Sequence, residues 1–302
     1  MSEARELPQL REAFGLREQL ADYAELAKMR ITSMVAITTA AGFYLGSRGP
    51  VDLAVLAWTI LGTALVSAAA CALNQVLEID LDARMRRTEH RPLPARRLTP
   101  MQATLFACVL ALAGVAVLWA KVNLLTAVLA AGCLLFYLLV YTPLKTRTTA
   151  NTILGAVAGA IPPVMGWTGA TGELGAPALV LFGILFLWQL PHFFAIASLY
   201  REDYASAGFR MLPVVDSTGV QTAVQTLGFT LALVVVAAMP HLLGLAGMPY
   251  LLGSLVLGFV FFAFGVGMAR DRSRQSARRL LLASVVYLPA LLGLLVLDKI
   301  PG

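Results

Sequence analysis

The chain of 302 residues is poor in charge and nearly devoid of the residues that staple extracellular or zinc-bound folds. Only 13% of its residues are charged and 59% are apolar, where soluble domains run at roughly 25% and 45–50%. A soluble fold of this length could not hide so much apolar surface, which excludes an ordinary soluble enzyme. The three cysteines, Cys71, Cys108 and Cys133, sit inside apolar stretches with no CxxC pair and no neighbouring histidine. A disulfide framework and a zinc site are thereby excluded, and the cysteines read as small core residues. Residues 1–30 lack any apolar run and hold six acids (Glu3, Glu6, Glu12, Glu18, Asp22, Glu25), so they read as a cytosolic amphipathic segment rather than a signal or transit peptide. The net charge of +6 would point a soluble protein towards nucleic acid. In a chain this apolar no nucleic-acid partner is expected, and the question becomes where the charges lie.

What is present is a series of long apolar runs. Nine candidate spans fall at about 31–46, 53–77, 101–120, 122–141, 151–169, 176–200, 221–243, 248–269 and 279–297. The expected architecture is all-α: a polytopic protein of nine transmembrane helices, residues 31–302 forming one membrane domain embedded in the lipid bilayer. With the N-terminus placed in the cytosol, 20 of the 23 Lys and Arg residues fall on inside segments, and only Arg48, Lys121 and Lys299 fall outside. Three of the 17 acids (Asp52, Glu173, Asp298) also fall outside, so the whole net charge of +6 faces the cytoplasm, as expected in a bacterial cytoplasmic (inner) membrane. Attraction to anionic lipid accounts for most of the cluster from Arg270 to Arg279.

Lipid attraction does not account for the connection after the second span. Asn74, Glu78 and Asp82 are spaced i, i+4, i+8 and line one face if the helix continues, while Asp80 points away. Stacked carboxylates at a membrane end repel unless cations join them. A few carboxylate oxygens suit Mg²⁺, which keeps waters and bridges to phosphates. Arg84, Arg87 and Arg91 follow at helical spacing, and guanidinium forks suit phosphate oxygens. Acids for a metal beside arginines for phosphate describe a metal-diphosphate site. Lys145 and Arg147 bring two more cations to the end of the fourth span, and Asn151 opens the fifth. Gly155, Gly159, Gly166 and Gly169 read as scaffold for close helix packing. In the sixth span, His192 and Asp203 are 11 residues apart, which on one continuous helix places them on a shared face about 16 Å apart. An ionisable residue inside a span is a functional candidate, and Trp188, Gln189 and Pro191 accompany His192.

The run Asn74-x3-Glu78-x3-Asp82 followed by ARMRRTEHRPLP resembles the first acidic motif of the UbiA-type membrane prenyltransferases. The segments YTPLKTRTTANTILGAVAGAIPPVMGW and WQLPHFFAIASLYREDYASAGFRMLPVV narrow the likeness to the members that farnesylate heme, and it covers nearly the whole chain after about residue 20. The resemblance implies helices around a central lipid-open cavity, a diphosphate site at the cytosolic rim, and transfer of farnesyl from farnesyl diphosphate to a vinyl group of heme B with Mg²⁺ as cofactor. It implies that Asn74, Glu78, Asp82 and Asp203 are the catalytic and metal-binding residues, and that Arg84, Arg87, Arg91, Lys145 and Arg147 bind substrate through its phosphate oxygens. Tyr141 and Trp188, with Tyr137 and Phe193, are candidates to face the allylic cation, and His192 to contact heme by ligating iron or orienting it. It further implies hand-on partners such as heme A synthase or terminal-oxidase assembly factors. The sequence departs from the family pattern twice: Glu78 stands where Asp is usual, and Leu199 and Ala207 flank Asp203 at four residues where a second carboxylate is usual, leaving only Glu202 beside it.

Two rival readings make distinct demands. A quinone-type aromatic prenyltransferase needs neither an internal histidine nor a heme-sized cavity. An ion-coupled transporter would use Asn74, Glu78, Asp82 and His192 as an ion path, but such sites usually lie near the midplane rather than beside arginines at one face.

Overall fold

The computed structural model describes residues 3–300, with side chains from residue 15 onward. Its helices are α1 (Glu3–Leu26), α2 (Met29–Gly46), α3 (Leu53–Leu77), α4 (Ile79–Asp82), α5 (Pro100–Lys121) and α6 (Leu124–Phe136). After a π-helical turn (Tyr137–Tyr141) come α7 (Thr142–Leu144), α8 (Asn151–Thr171), α9 (Ala176–Leu199), α10 (Arg201–Ser206), α11 (Leu212–Val215), α12 (Val220–Leu242), α13 (Met248–Asp271) and α14 (Arg274–Leu297). No strand occurs among the described residues, only an isolated antiparallel bridge between Ala246 and Lys299. The all-α expectation therefore holds.

Four of the apolar runs begin at polar caps. Asp52 accepts from the amides of Ala54 and Val55 to open α3, Thr99 and Gln102 form a capping box ahead of α5, Asn123 caps α6, and Ser273 caps α14. Each cap satisfies amides that the apolar helix body cannot. Because Ser273 supplies the cap, α14 starts at Arg274, ahead of the expected 279, and Arg270, Arg274, Arg278 and Arg279 ride on helix ends rather than in a loop.

Eight helices are long and apolar enough to cross a bilayer, α6 doing so together with the π turn and α7 as Leu124–Leu144. The first of the nine expected spans is present as α2, but Arg30 and the hydroxyls of Thr32, Ser33, Thr38 and Thr39 dilute its 18 residues below the apolarity of the others. Helices adjacent in sequence pack as neighbours, α14 returns to α9 and α2, and α2 lies along α8. At the centre stands α8, with 61% of its apolar stretch buried against 22% for α5. Close approach makes this possible: a Cβ on Gly42 would strike the Pro163 carbonyl, and one on Gly166 the Thr39 carbonyl. The outer faces carry exposed Leu112, Leu252, Val256, Phe259 and Val286, as a lipid-facing surface should. Cys71 is buried as expected, whereas Cys108 faces outward and Cys133 is half-buried; all three are free thiols. Reading all three as core residues is corrected at Cys108, which shares the outer face of α5 with Leu105, Val109 and Leu112.

Candidate active site

The expected face of Asn74, Glu78 and Asp82 forms, although α3 breaks at Glu78 and α4 begins one residue later. The amides of Glu78 and Asp82 still reach the carbonyls of Asn74 and Glu78 at 3.0 and 2.7 Å, so the i, i+4 register survives the break. All three side chains are buried, and Asp80 is exposed. Asn74 Nδ2 donates to Thr142 Oγ1 at 3.1 Å. The Lys145 ammonium stands 2.8 Å from Glu78 Oε1 and 2.9 Å from Oε2, but its geometry makes a hydrogen bond only to Oε2, which leaves Oε1 a buried acceptor with ionic contact alone. Arg91 donates to Asp82 Oδ2 at 2.7 Å. Buried carboxylates are tolerable only when paired in this way.

Lys145 reaches Glu78 from the far side of the π turn. Pro143 has no amide to offer and its ring crowds the carbonyl four residues back, so a regular helix cannot pass through it. The chain widens over Tyr137–Tyr141, and the Thr142 hydroxyl takes the Tyr137 carbonyl at 2.9 Å. The Lys145 ammonium then sits 4.7 Å from the Tyr141 ring centroid and 5.9 Å from that of Phe209. Burial works against its charge, but Tyr141 and Glu78 outweigh it and hold the amine above the ordinary lysine range.

Three of the connections between the long helices meet here. Ser206 Oγ donates to the Arg84 carbonyl at 3.0 Å, Met85 packs with Ala207 and Phe209, and the Arg210 amide donates to the Lys145 carbonyl at 2.8 Å. Asn151 is fully buried, and its Nδ2 ties the Thr148 and Arg210 carbonyls at 2.6 and 3.0 Å; it serves as a strut between loops. Arg87 lies over the rings of Tyr200 and Tyr204, 4.9 and 5.4 Å from their centroids, and donates to the Tyr204 hydroxyl at 3.2 Å. Arg84 and Arg147 are exposed.

Lys28 is a further cation near this site, beyond those expected from the motifs. It caps α2 in a left-handed conformation with φ 46°, and burial pushes its amine below the usual lysine range, as do the charges of Arg91 and Lys145 nearby. Its position in Lys28-Met29-Arg30, directly ahead of an apolar run, was the available signal.

Asp203 is placed differently from the first three acids. It is half-buried on α10, and among the described residues no donor reaches its carboxylate. The helix expected to run unbroken from His192 to Asp203 is interrupted, α9 ending at Leu199 and Tyr200 taking φ −111° and ψ 31°, but the Tyr200 and Tyr204 amides still reach the Ile196 and Tyr200 carbonyls at 3.0 Å each, as happens at Glu78. His192 faces α14, with Nδ1 2.7 Å from Ser284 Oγ, and stacks on Trp188 with centroids 5.0 Å apart; Trp188 Nε1 donates to the Ser284 carbonyl at 2.8 Å. Among the described residues no three His, Cys, Asp or Glu side chains gather closely enough to hold a metal by themselves. The donor set, two buried carboxylates each facing a cation and one carboxylate oxygen without a hydrogen bond, fits a metal that arrives with its own phosphate oxygens rather than one held in an all-protein cage.

Residues 35–288 match the model of the UbiA prenyltransferase family. The chain is similar to a protoheme IX farnesyltransferase of Solibacter usitatus, 45% identical over 290 residues that cover 93% of this chain and 99% of that protein. It is also similar to the mitochondrial protoheme IX farnesyltransferase of Homo sapiens, 42% identical over 92% of this chain and 62% of that one. Among solved structures, a digeranylgeranylglyceryl phosphate synthase has a TM-score of 0.78 at 17% identity, covering 93% of this chain and 98% of that one. A UbiA homolog from Archaeoglobus fulgidus bound to GPP and Mg²⁺ has a TM-score of 0.64 at 14% identity, covering 91% and 99%. Joined to the bundle and its rim of paired charges, these matches show that the chain belongs to the UbiA prenyltransferase family.

Proposed function

We propose that the protein transfers the farnesyl group of farnesyl diphosphate to a vinyl group of heme B, giving heme O, at a rim facing the cytosol with the N-terminus on the same side. The observation that carries the site assignment is the double pair of Glu78 with Lys145 and Asp82 with Arg91, its two carboxylates buried where three loops converge. Each pair can exchange partners. Diphosphate oxygens would take Lys145, Arg91 and Lys28, with Arg87 held over its two tyrosines and Arg84 and Arg147 at the exposed edge. The freed carboxylates of Glu78 and Asp82, joined by Asn74 and Asp203, would hold Mg²⁺, which when bound supplies Lewis-acid stabilisation of the leaving diphosphate.

The protein's own part is to place cations where negative charge develops as the allylic C–O bond breaks. The faces of Tyr137 and Tyr141, 6.0 and 4.7 Å from the Lys145 ammonium, would stabilise an allylic cation formed beside it. Farnesyl C1 then bonds the vinyl terminus, water supplies hydroxide to the adjoining carbon, and its proton leaves with diphosphate as the second product. The choice of heme over a quinone precursor is supported by the names of the similar proteins and by an imidazole stacked on an indole inside a span. Membranes containing the protein are incubated with farnesyl diphosphate, heme B and Mg²⁺. A new, more hydrophobic heme is expected on chromatography; prenylation of an aromatic acid with heme B left untouched would overturn the reading.

A further inference from the structure

Ser284 lies midway along α14, is fully buried, and makes three hydrogen bonds that use all of its capacity to direct a neighbour. Its carbonyl accepts from Trp188 Nε1 at 2.8 Å, its Oγ lies 2.6 Å from the Leu281 carbonyl, and the same Oγ lies 2.7 Å from His192 Nδ1. A hydroxyl has one proton, and a carbonyl can only accept. The Ser284 proton therefore goes to Leu281, and the contact with His192 runs in the other direction, Nδ1–H donating to Oγ. In the neutral ring the second nitrogen, Nε2, then carries the lone pair. Among the described residues no donor or acceptor reaches Nε2, and no carboxylate contacts the ring.

The plane of the ring is set as well as its tautomer. Trp188 stacks on the imidazole at an interplanar angle of 25°, and Trp188 is itself tied to Ser284, so one residue of α14 holds two rings one turn apart on α9. Phe193 closes on the imidazole from another side at a centroid distance of 5.9 Å. A bare imidazole nitrogen beside flat aromatic faces suits a planar macrocycle whose central metal accepts nitrogen.

We infer that Ser284 is a positioning residue that locks His192 as the Nδ1–H tautomer and aligns its ring, so that Nε2 presents a lone pair to the iron of a metalloporphyrin acceptor. The inference rests on the proposed function. Its hydroxyl touches the imidazole and not the metal, and loss of such an orienting partner weakens metal binding roughly 10–100-fold.

The purified protein is titrated with ferric heme B and, in parallel, with metal-free protoporphyrin IX, for wild type, Ser284→Ala, Ser284→Thr and His192→Ala. Farnesyl diphosphate binding serves as the check that each variant folds. Wild type is expected to give a heme absorption and electron-spin spectrum that His192→Ala abolishes. Ser284→Ala should shift that spectrum and weaken heme binding by about tenfold or more, with metal-free porphyrin binding unchanged. Ser284→Thr keeps the hydroxyl and should restore the wild-type spectrum. A heme spectrum identical in wild type and His192→Ala, equal losses for both porphyrins in Ser284→Ala, or no restoration by Ser284→Thr overturns the inference. In that event, heme farnesylation by the same wild-type preparation leaves the proposed function standing, whereas heme B left unfarnesylated overturns the function itself.

Discussion

The two acidic segments differ in how completely the fold has already dealt with their charge. Glu78 and Asp82 are buried at the end of α3 and in α4 and are each held by a cation, while Glu202 is exposed and Asp203 half-buried on a six-residue helix with no partner among the described residues. Desolvating a carboxylate costs several kcal/mol unless a partner is in place, so the first segment can exist only as a preset clamp. The second remains hydrated and can turn towards a ligand at little cost. A ligand must therefore exchange the partners that the first segment already holds, whereas it meets the second with its charge still in water.

The largest effect should come from breaking the clamp's chemistry. Glu78→Gln and Asp82→Asn keep shape and remove charge, and each is expected to lower farnesyl transfer by about 10²–10³ in steady-state assays. Next comes the pairing itself. Lys145→Ala strands a buried Glu78 and should reduce stability by about 3–5 kcal/mol, read as a lower Tm in detergent. The double variant Glu78→Leu with Lys145→Met should recover Tm without recovering turnover, which separates the pair's catalytic from its structural role. On the other side of the comparison, Asp203→Asn should change stability by no more than about 0.5 kcal/mol while reducing turnover. A Tm loss as large as that of Lys145→Ala would erase the contrast between the segments.

The smallest effect concerns a carboxylate away from both segments. Desolvation pushes the Asp216 carboxyl up, but the amide and hydroxyl of Thr222, the Thr218 hydroxyl and the Gly219 amide together hold it below the usual carboxylate range. Its folded pKa is depressed, so its contribution to stability is present above the unfolded value near 3.9 and is lost as pH falls through the folded one. The Tm difference between wild type and Asp216→Asn should accordingly shrink below about pH 4, while the difference for Lys145→Ala should already be full at pH 7.

Much of this was legible in the sequence. Apolar runs of bilayer length become helices because lipid leaves the backbone no other partner, and the i, i+4, i+8 spacing of Asn74, Glu78 and Asp82 survives because backbone hydrogen bonding continues across the break at Glu78. What periodicity could not show is where a helix yields. At Tyr200 α9 gives way to α10, with no proline or glycine there to announce it. The π turn ahead of Pro143 did leave a signal in that proline, but the partner it delivers to Glu78 depends on packing 67 residues away in sequence. Ser284 was invisible for the same reason: nothing local distinguishes a serine in α14 from any other small helix residue until α9 lies against it. Lys28 is readable as a cation at the membrane edge, but its neighbours Arg91, Lys145 and Asp82 come together only in the fold.

The central claim is that the buried pairs open to a metal diphosphate. Farnesyl diphosphate affinity, measured by calorimetry on the purified protein with Mg²⁺ and again with a chelator, tests it directly. The account predicts that Mg²⁺ tightens binding in the wild type and that this gain disappears in Glu78→Gln with Asp82→Asn; an equal Mg²⁺ gain in wild type and the double variant would contradict it.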